Sequence, residues 1–96
     1  MAQNKKPPLE KTITRNIVRY LNGLPACYAR KIHGSRYTSG FPDIICVREG
    51  IAIWIEVKRP GNKPTPLQLA ELENWRSAGA LAIVAYSLDD VRKIMQ

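Results

Sequence analysis

The apolar residues of this chain recur with a helical spacing in some segments and with a strand spacing in others. The strand spacing is clearest in the middle of the chain. Two β-branched runs, residues 44–47 and 51–57, flank a short polar break that ends in glycine. This pattern predicts a β-hairpin. If Glu49-Gly50 is a two-residue turn, Asp43 stands directly opposite Glu56. The other pairs are then Arg48 with Ile51, Val47 with Ala52, and Ile45 with Trp54.

Helical spacing and stop signals predict the elements on either side of the hairpin. The predicted helices cover residues 9–22, 66–78 and 88–95, and two further strands cover residues 26–32 and 80–86. The strand at 80–86 is almost continuously apolar, which predicts an interior strand covered on both faces. Because a helix connects it to the strand at 51–57, we expect these two strands to run parallel.

The element order α-β-β-β-α-β-α indicates the α/β class, with a central four-stranded mixed sheet flanked by helices. A chain of 96 residues is one small domain. We expect a basic flexible arm at residues 1–8, followed by a single domain at residues 9–96. The chain has neither a signal peptide nor an apolar run long enough to cross a bilayer, which predicts a cytoplasmic protein without a membrane partner.

The second hairpin strand separates its core residues from its polar ones. Its odd-numbered positions are aliphatic, whereas Glu56 and Lys58 share the other face. Opposed carboxylates repel each other, so Asp43 facing Glu56 requires a cation between them. Hard oxygen ligands at this spacing suit Mg²⁺ or Mn²⁺. A surface carboxylate pair neutralised by Lys58 is the alternative, and a three-residue turn would place the two acids on opposite faces.

Charge and cysteine content narrow the class of function. The formal net charge is +7, and 12 of the 15 Lys and Arg residues lie between Lys5 and Lys63. Such a basic chain favours a polyanionic partner. Cys27 and Cys46 both fall in predicted strands beside aliphatic residues, so we interpret them as free core thiols. Their spacing indicates neither a zinc site nor a cysteine nucleophile.

Three short motifs carry a resemblance to a known family. Pro42-Asp43 followed by Glu56-Val57-Lys58 resembles the P-D…(D/E)-x-K signature of restriction-endonuclease-like nucleases. With Gly40-Phe41 before it and Thr65-Pro66-Leu67-Gln68 after it, the pattern is similar to the virus-type replication-repair nuclease branch, the VRR-NUC domain. The resemblance extends from Glu10 to Val84. It implies a restriction-endonuclease-like core of the small standalone type found in phages and bacteria, acting in a bacterial or phage-infected cell.

The resemblance also implies an activity and a set of active-site residues. The activity is a divalent-metal-dependent endodeoxyribonuclease using Mg²⁺ or Mn²⁺ and no organic cofactor, and small members resemble homodimeric resolvases of four-way (Holliday) junctions. The implied metal ligands are Asp43, Glu56, the backbone carbonyl of Val57 and Glu10, and the further catalytic residues are Lys58 and Gln68. Glu10 is equally explained by the helix dipole, and Gln68 by a capping box with Thr65.

DNA is the expected partner, and cationic and hydroxyl side chains around the predicted site are its expected contacts. These are Arg36, Tyr37, Ser39, Arg59, Lys63, Arg15 and Arg19. For each of them, ordinary solvation on the protein surface is the alternative. The alternative function is a non-catalytic or partner-dependent DNA-binding accessory module, since so short a chain has little room for a separate DNA-recognition domain.

Overall fold

A computed structural model describes residues 6–33 and 40–96, which form three helices and one four-stranded sheet. In chain order the elements are α1 (Glu10–Asn22), β1 (Cys27–Lys31), β2 (Ile44–Arg48), β3 (Ile51–Val57), α2 (Pro66–Ser77), β4 (Leu81–Ala85) and α3 (Leu88–Met95). The strands lie in the order β1-β2-β3-β4, with β4 parallel to β3 and the other pairs antiparallel. The predicted α/β class and mixed sheet are confirmed.

The turn between β2 and β3 determines which residues face each other. Glu49 and Gly50 both have positive φ, 51° and 82°, as a two-residue type I′ turn requires. The three predicted pairs, Arg48 with Ile51, Val47 with Ala52 and Ile45 with Trp54, are all present. One further step of this register places Asp43 opposite Glu56.

The main hydrophobic core lies between one face of the sheet and helices α1 and α3. The aliphatic side of β3 points into it, as predicted, and Ile55 and Val57 are completely buried. Ile17 and Leu21 of α1 and Val91 of α3 meet them from the helical layer. Each fully buried aliphatic side chain contributes about 1.5–3 kcal/mol, so this layer holds the sheet and its register together.

The opposite face of the sheet is covered by α2 over β3 and β4. Leu72 is completely buried there, and Trp75 stacks on Trp54 with ring centroids 4.2 Å apart. Over β1 and β2 no helix of the described residues covers this face, and Tyr28 is 63% exposed. The prediction of an interior position for the last strand is wrong, because β4 is an edge strand and Leu81 at its start is exposed.

Side chains cover backbone groups along both edges of the sheet. The amide of Asn22, the last residue of α1, accepts a hydrogen bond from the Ala29 N–H at 2.8 Å and donates one to the Ala29 carbonyl at 3.0 Å. At the other edge, Arg76 Nε donates to the carbonyl of Ala82 at 2.8 Å. These contacts oppose edge-to-edge pairing with another strand, and the pair at Asn22 also fixes α1 against β1.

The two cysteines are neighbours in β1 and β2. Their sulfur atoms are 3.3 Å apart, and both thiols are free, as predicted. Burial, together with the adjacent Cys27, raises the pKa of Cys46 to about 12, so this thiol stays protonated at neutral pH. Among the helices of the described residues, none has both the length and the apolar content to cross a membrane.

Candidate active site

The chain enters the candidate site through a tight passage between β2 and the start of α2. Gly40 has φ +83°, and a Cβ at this position would lie 2.8 Å from Leu67 Cγ on α2. Glycine is therefore needed both for the backbone angle and for the close approach. Pro42 follows and is buried, so the segment delivers Asp43 to the beginning of β2 in a defined position.

Asp43 is held at the open end of the hairpin by the backbone of β3. Its Oδ2 accepts a hydrogen bond of 2.7 Å from the N–H of Val57. A hydrogen bond of this kind uses one carboxylate oxygen and aligns the group beside the neighbouring residue, Glu56. The predicted meeting of these two acids therefore occurs at the carboxyl end of β3.

Glu56 is a buried acid whose charge is not fully compensated. Its side chain is 2% exposed, Oε2 lies 3.9 Å from Lys58 Nζ, and Oε1 has no hydrogen-bond partner within the described part of the chain. Burial raises the pKa of Glu56 to about 8, and the hydrogen bond and charge of Asp43 add to this effect, whereas the charge of Lys58 opposes it. The pair thus holds a proton unless another cation replaces it.

The chemistry of the pair fits a divalent cation. Two carboxylates meet, and one buried oxygen has no hydrogen bond from any residue that the structure describes, which is the arrangement that a hard cation such as Mg²⁺ or Mn²⁺ would satisfy. Across residues 6–33 and 40–96, no three His, Cys, Asp or Glu side chains come together. A bound ion would therefore complete its shell with backbone carbonyl, water or substrate oxygens.

Glu10 and Gln68 lie at the starts of two different helices. Glu10 opens α1, and its charge is the smallest of the effects that raise the pKa of Glu56, so it acts on the pair electrostatically. Gln68 Oε1 accepts from the Thr65 N–H at 2.9 Å, and Thr65 Oγ1 accepts from the Gln68 N–H at 3.1 Å. The capping box is therefore real, and the catalytic roles of Glu10 and Gln68 stay predictions.

The predicted DNA contacts fall in three places. Arg36, Tyr37 and Ser39 lie outside the described residues. Arg59 and Lys63 occupy the loop after Lys58, where Arg59 Nη2 donates to the carbonyl of Pro7 at 3.2 Å and Lys63 is exposed. Arg15 and Arg19 are exposed on α1. Their role in binding DNA stays a prediction.

Sequence reasoning missed the contact that holds α2 beside the carboxylates. Trp54 lies two residues before Glu56 on the same face of β3, and it stacks on Trp75, whose Nε1 donates to Glu71 at 3.1 Å. Helical spacing places Trp75 on the buried side of its helix, but it does not identify the partner ring. The stack fixes α2, and with it the passage around Gly40, over the end of β3.

Comparison with solved structures identifies the family. One structure, described as a "VRR_NUC domain", is 30% identical, with a TM-score of 0.76 over 90% of this chain and 92% of that chain. This chain belongs to the VRR_NUC domain family. A second structure, a "VRR_NUC domain protein", shares the fold with a TM-score of 0.77 at 20% identity, covering 95% of this chain and 88% of that chain. No family model and no curated protein matches the sequence.

Membership in the VRR_NUC family confirms two of the expectations from sequence. The resemblance of the Pro-Asp and Glu-Val-Lys segments pointed to this branch, and the α-β-β-β-α-β-α order is that of its restriction-endonuclease-like fold. The chain is therefore a nuclease domain by family.

Proposed function

We propose that this VRR_NUC domain is a divalent-metal-dependent endodeoxyribonuclease that hydrolyses phosphodiester bonds. The proposal is carried by the Asp43–Glu56 pair: Glu56 is buried, its Oε1 has no hydrogen-bond partner in the described part of the chain, and its Oε2 lies 3.9 Å from the Lys58 ammonium. A buried Glu56 beside a second carboxylate, Asp43, is unfavourable for folding by itself, and a bound cation would offset this cost. The net charge of +7 suits a phosphate-rich substrate.

We assign the following roles to the residues around this pair. Asp43 and Glu56 would hold the ion, with the backbone carbonyl of Val57 as a further ligand. A divalent ion in this position supplies an acidified water molecule and offsets negative charge on the phosphoryl group. Lys58 donates a hydrogen bond to the attacking water or to a phosphate oxygen. Glu10 supports the ion through water, and the NH₂ group of Gln68, which the capping box does not use, reaches the substrate or a water.

DNA is bound by the basic residues that surround this pair. Arg59 and Lys63 follow β3 directly, and Arg15 and Arg19 lie on the helix that starts at Glu10. The segment with Arg36, Tyr37 and Ser39 leads into Asp43 along the chain, where it can hold phosphates and stack on an exposed base. The Arg and Lys side chains position the sugar-phosphate backbone of the DNA without reading its sequence, so we expect the enzyme to select its substrate by shape.

The preferred substrate in this proposal is a four-way junction, cut by a homodimer. A two-fold pair of active sites matches the symmetry of such a junction and permits paired cuts. One observation favours the second candidate, a partner-dependent accessory module. Asp43 and Glu56 are joined by no third His, Cys, Asp or Glu side chain within the described residues, so a partner chain would then complete the site.

A cleavage assay tests the proposal. End-labelled four-way junction, flap, linear duplex and single-stranded DNA are incubated with the parent chain in Mg²⁺ or Mn²⁺, with EDTA as a control. We expect metal-dependent cuts that Asp43→Asn abolishes, whereas Asp89→Asn, which removes an exposed acid from α3, retains them. Symmetric cuts confined to the junction support the resolvase. Binding without cutting favours the accessory module, and cutting that persists in Asp43→Asn contradicts the proposed site.

Two lysine variants separate chemistry from binding. Lys58 lies beside Glu56 with a side chain that is 14% exposed, whereas Lys63 is exposed in the following loop. We expect Lys58→Ala to slow turnover by roughly 10²-fold with little change in DNA affinity. Lys63→Ala should weaken binding, reduce its salt dependence and leave single-turnover cleavage of bound DNA intact. Equal cleavage rates for Lys58→Ala and the parent would remove Lys58 from the mechanism.

A further inference from the structure

A basic groove runs between α1 and the edge strand β1. It has a volume of about 450 Å³ and is lined by Lys11, Thr14, Arg15, Val18, Arg19 and Lys31. Four of these six side chains are cations and none is an acid. We call this surface the α1 groove.

The cations of the α1 groove are regularly spaced and available. Lys11, Arg15 and Arg19 follow one another at intervals of four residues, which is about 6 Å along a helix. All three are exposed, as is Lys31 on the neighbouring strand. The ion pairs among the described residues involve other cations, namely Lys58, Arg76 and Arg92. The hydrogen bonds of Asn22 to Ala29 fix α1 against β1, so the spacing is built into the fold.

Two residues at one end of the α1 groove are chain neighbours of residues that contact or influence the candidate active site. Lys11 directly follows Glu10, the residue whose charge reaches Glu56. Lys31 directly precedes Ile32, whose N–H donates to the Asp43 carbonyl at 2.8 Å. From this end the row of charges extends to Arg19, about 12 Å further along the helix. A nucleic acid bound at Asp43 can therefore continue into the groove in one direction.

The lining of the α1 groove indicates which form of nucleic acid it fits. Sites for single strands combine positive charge with aromatic side chains on which bases stack. Among the residues that the structure describes, the groove has no aromatic lining; beside its four cations it offers the apolar surface of Val18, and the hydroxyl of Thr14 already donates to the Glu10 carbonyl at 2.8 Å. Such a surface contacts phosphates and leaves bases unread. A duplex, with its bases stacked inside, presents this backbone.

We propose that the α1 groove binds the phosphate backbone of a double-stranded DNA arm on one side of the cleaved bond. This inference rests on the proposed nuclease function for its position relative to the cut. It adds Lys11 and Lys31 to the expected DNA contacts and makes the two flanks of the cut unequal. The DNA on the side of α1 must be double-stranded, whereas the DNA on the other side of the cut can be single- or double-stranded.

Binding measurements with a matched control test the inference. Labelled linear duplex is titrated with Asp43→Asn protein in EDTA over a range of KCl concentrations. Arg15→Gln/Lys31→Gln removes one Arg and one Lys from the groove. Arg30→Gln/Lys93→Gln removes the same charges elsewhere, because Arg30 points to the opposite face of β1 from Lys31 and Lys93 is exposed on α3. The groove variant should lower the slope of log K against log salt by about 2, and the control should retain the slope of the parent.

A second measurement places the groove relative to the cut. On the DNA that the parent cleaves, each flank is converted in turn to single strand. When the flank that lies in the α1 groove becomes single-stranded, we expect the affinity of the parent to fall to that of the groove variant. The affinity of the groove variant itself should not change. The inference would be overturned if the groove variant and the control had equal salt slopes. It would also be overturned if the groove substitutions weakened binding to single-stranded and duplex DNA equally. Neither result would affect metal-dependent cleavage. A groove effect without any cleavage would instead refute the nuclease and retain the duplex contact.

Discussion

The middle of the β2–β3 hairpin and its open end differ in what they contribute to the molecule. In the middle, Ile53 and Ile55 are buried in the core and make the sheet stable. At the open end, the same register brings Asp43 and Glu56 together, and the buried Glu56 has one oxygen without a partner among residues 6–33 and 40–96. Burial of that kind opposes folding. The hairpin core therefore supplies the stability that keeps an unfavourable, charged site in place.

The largest expected effect comes from neutralising the open end. Glu56→Gln keeps the shape of the side chain but removes the charge that holds a cation. We expect cleavage to fall by roughly 10²–10³-fold while the folded structure is retained. The measurement is single-turnover cleavage together with circular dichroism, and Glu73→Gln, an exposed acid of α2, serves as the control. Cleavage by Glu56→Gln at the rate of the control would contradict the role of this end.

The middle of the hairpin should give the opposite result. Ile55→Ala removes a completely buried side chain and should lower the free energy of unfolding by about 2–5 kcal/mol. Ile51→Ala, on the same face of β3 but 56% exposed, should change it by no more than about 0.5 kcal/mol. Urea unfolding measures both. Equal stability of the two variants would show that burial of the aliphatic side of β3 does not stabilise the sheet.

The free energy of unfolding should depend on pH because of Glu56 at the open end of the hairpin. The pKa of Glu56 is raised to about 8 in the folded chain from 4.5 when unperturbed. Below pH 4.5 both states carry the proton, and between these values the unfolded chain loses it while the folded chain keeps it. In EDTA the parent should therefore lose stability as pH rises from about 5 to 8, by on the order of a few kcal/mol. Glu56→Gln should lack this loss. Urea unfolding at several pH values measures the free energy of unfolding of both proteins, and the same pH dependence in parent and variant would contradict the burial of a charged Glu56.

The smallest expected effect separates the two roles of Gln68. Thr65→Ala and Gln68→Ala each break the capping box and should lower the free energy of unfolding by about 1 kcal/mol. If Gln68 also contacts the substrate or a water, cleavage should fall in Gln68→Ala and remain in Thr65→Ala. Equal cleavage by both folded variants would reduce Gln68 to a cap.

Local patterns in the sequence were sufficient for most of the fold. Alternating β-branched residues and the Glu49-Gly50 turn predict the hairpin, its register and the meeting of Asp43 with Glu56, because pairing across a two-residue turn is a matter of counting. The capping box of Thr65 and Gln68 is equally local. Its confirmation required no knowledge of the rest of the chain.

Features that depend on two distant elements escaped prediction. An apolar run indicates that β4 is covered by helices, but it carries no information on whether another strand lies beside it. The stack of Trp54 on Trp75 depends on where α2 crosses the sheet. In the α1 groove, Lys31 joins the cations of α1 because Asn22 binds Ala29 across the packed layers. Such contacts arise from packing geometry, which sequence periodicity does not specify.

We propose above all that Asp43 and Glu56 together form a divalent-metal site. Calorimetric titration of Mn²⁺ into the parent, Asp43→Asn, Glu56→Gln and the surface control Asp89→Asn tests it most directly. We predict that the parent and Asp89→Asn bind the ion and that each of the two site variants loses binding. Undiminished Mn²⁺ binding by Asp43→Asn and Glu56→Gln would contradict the account.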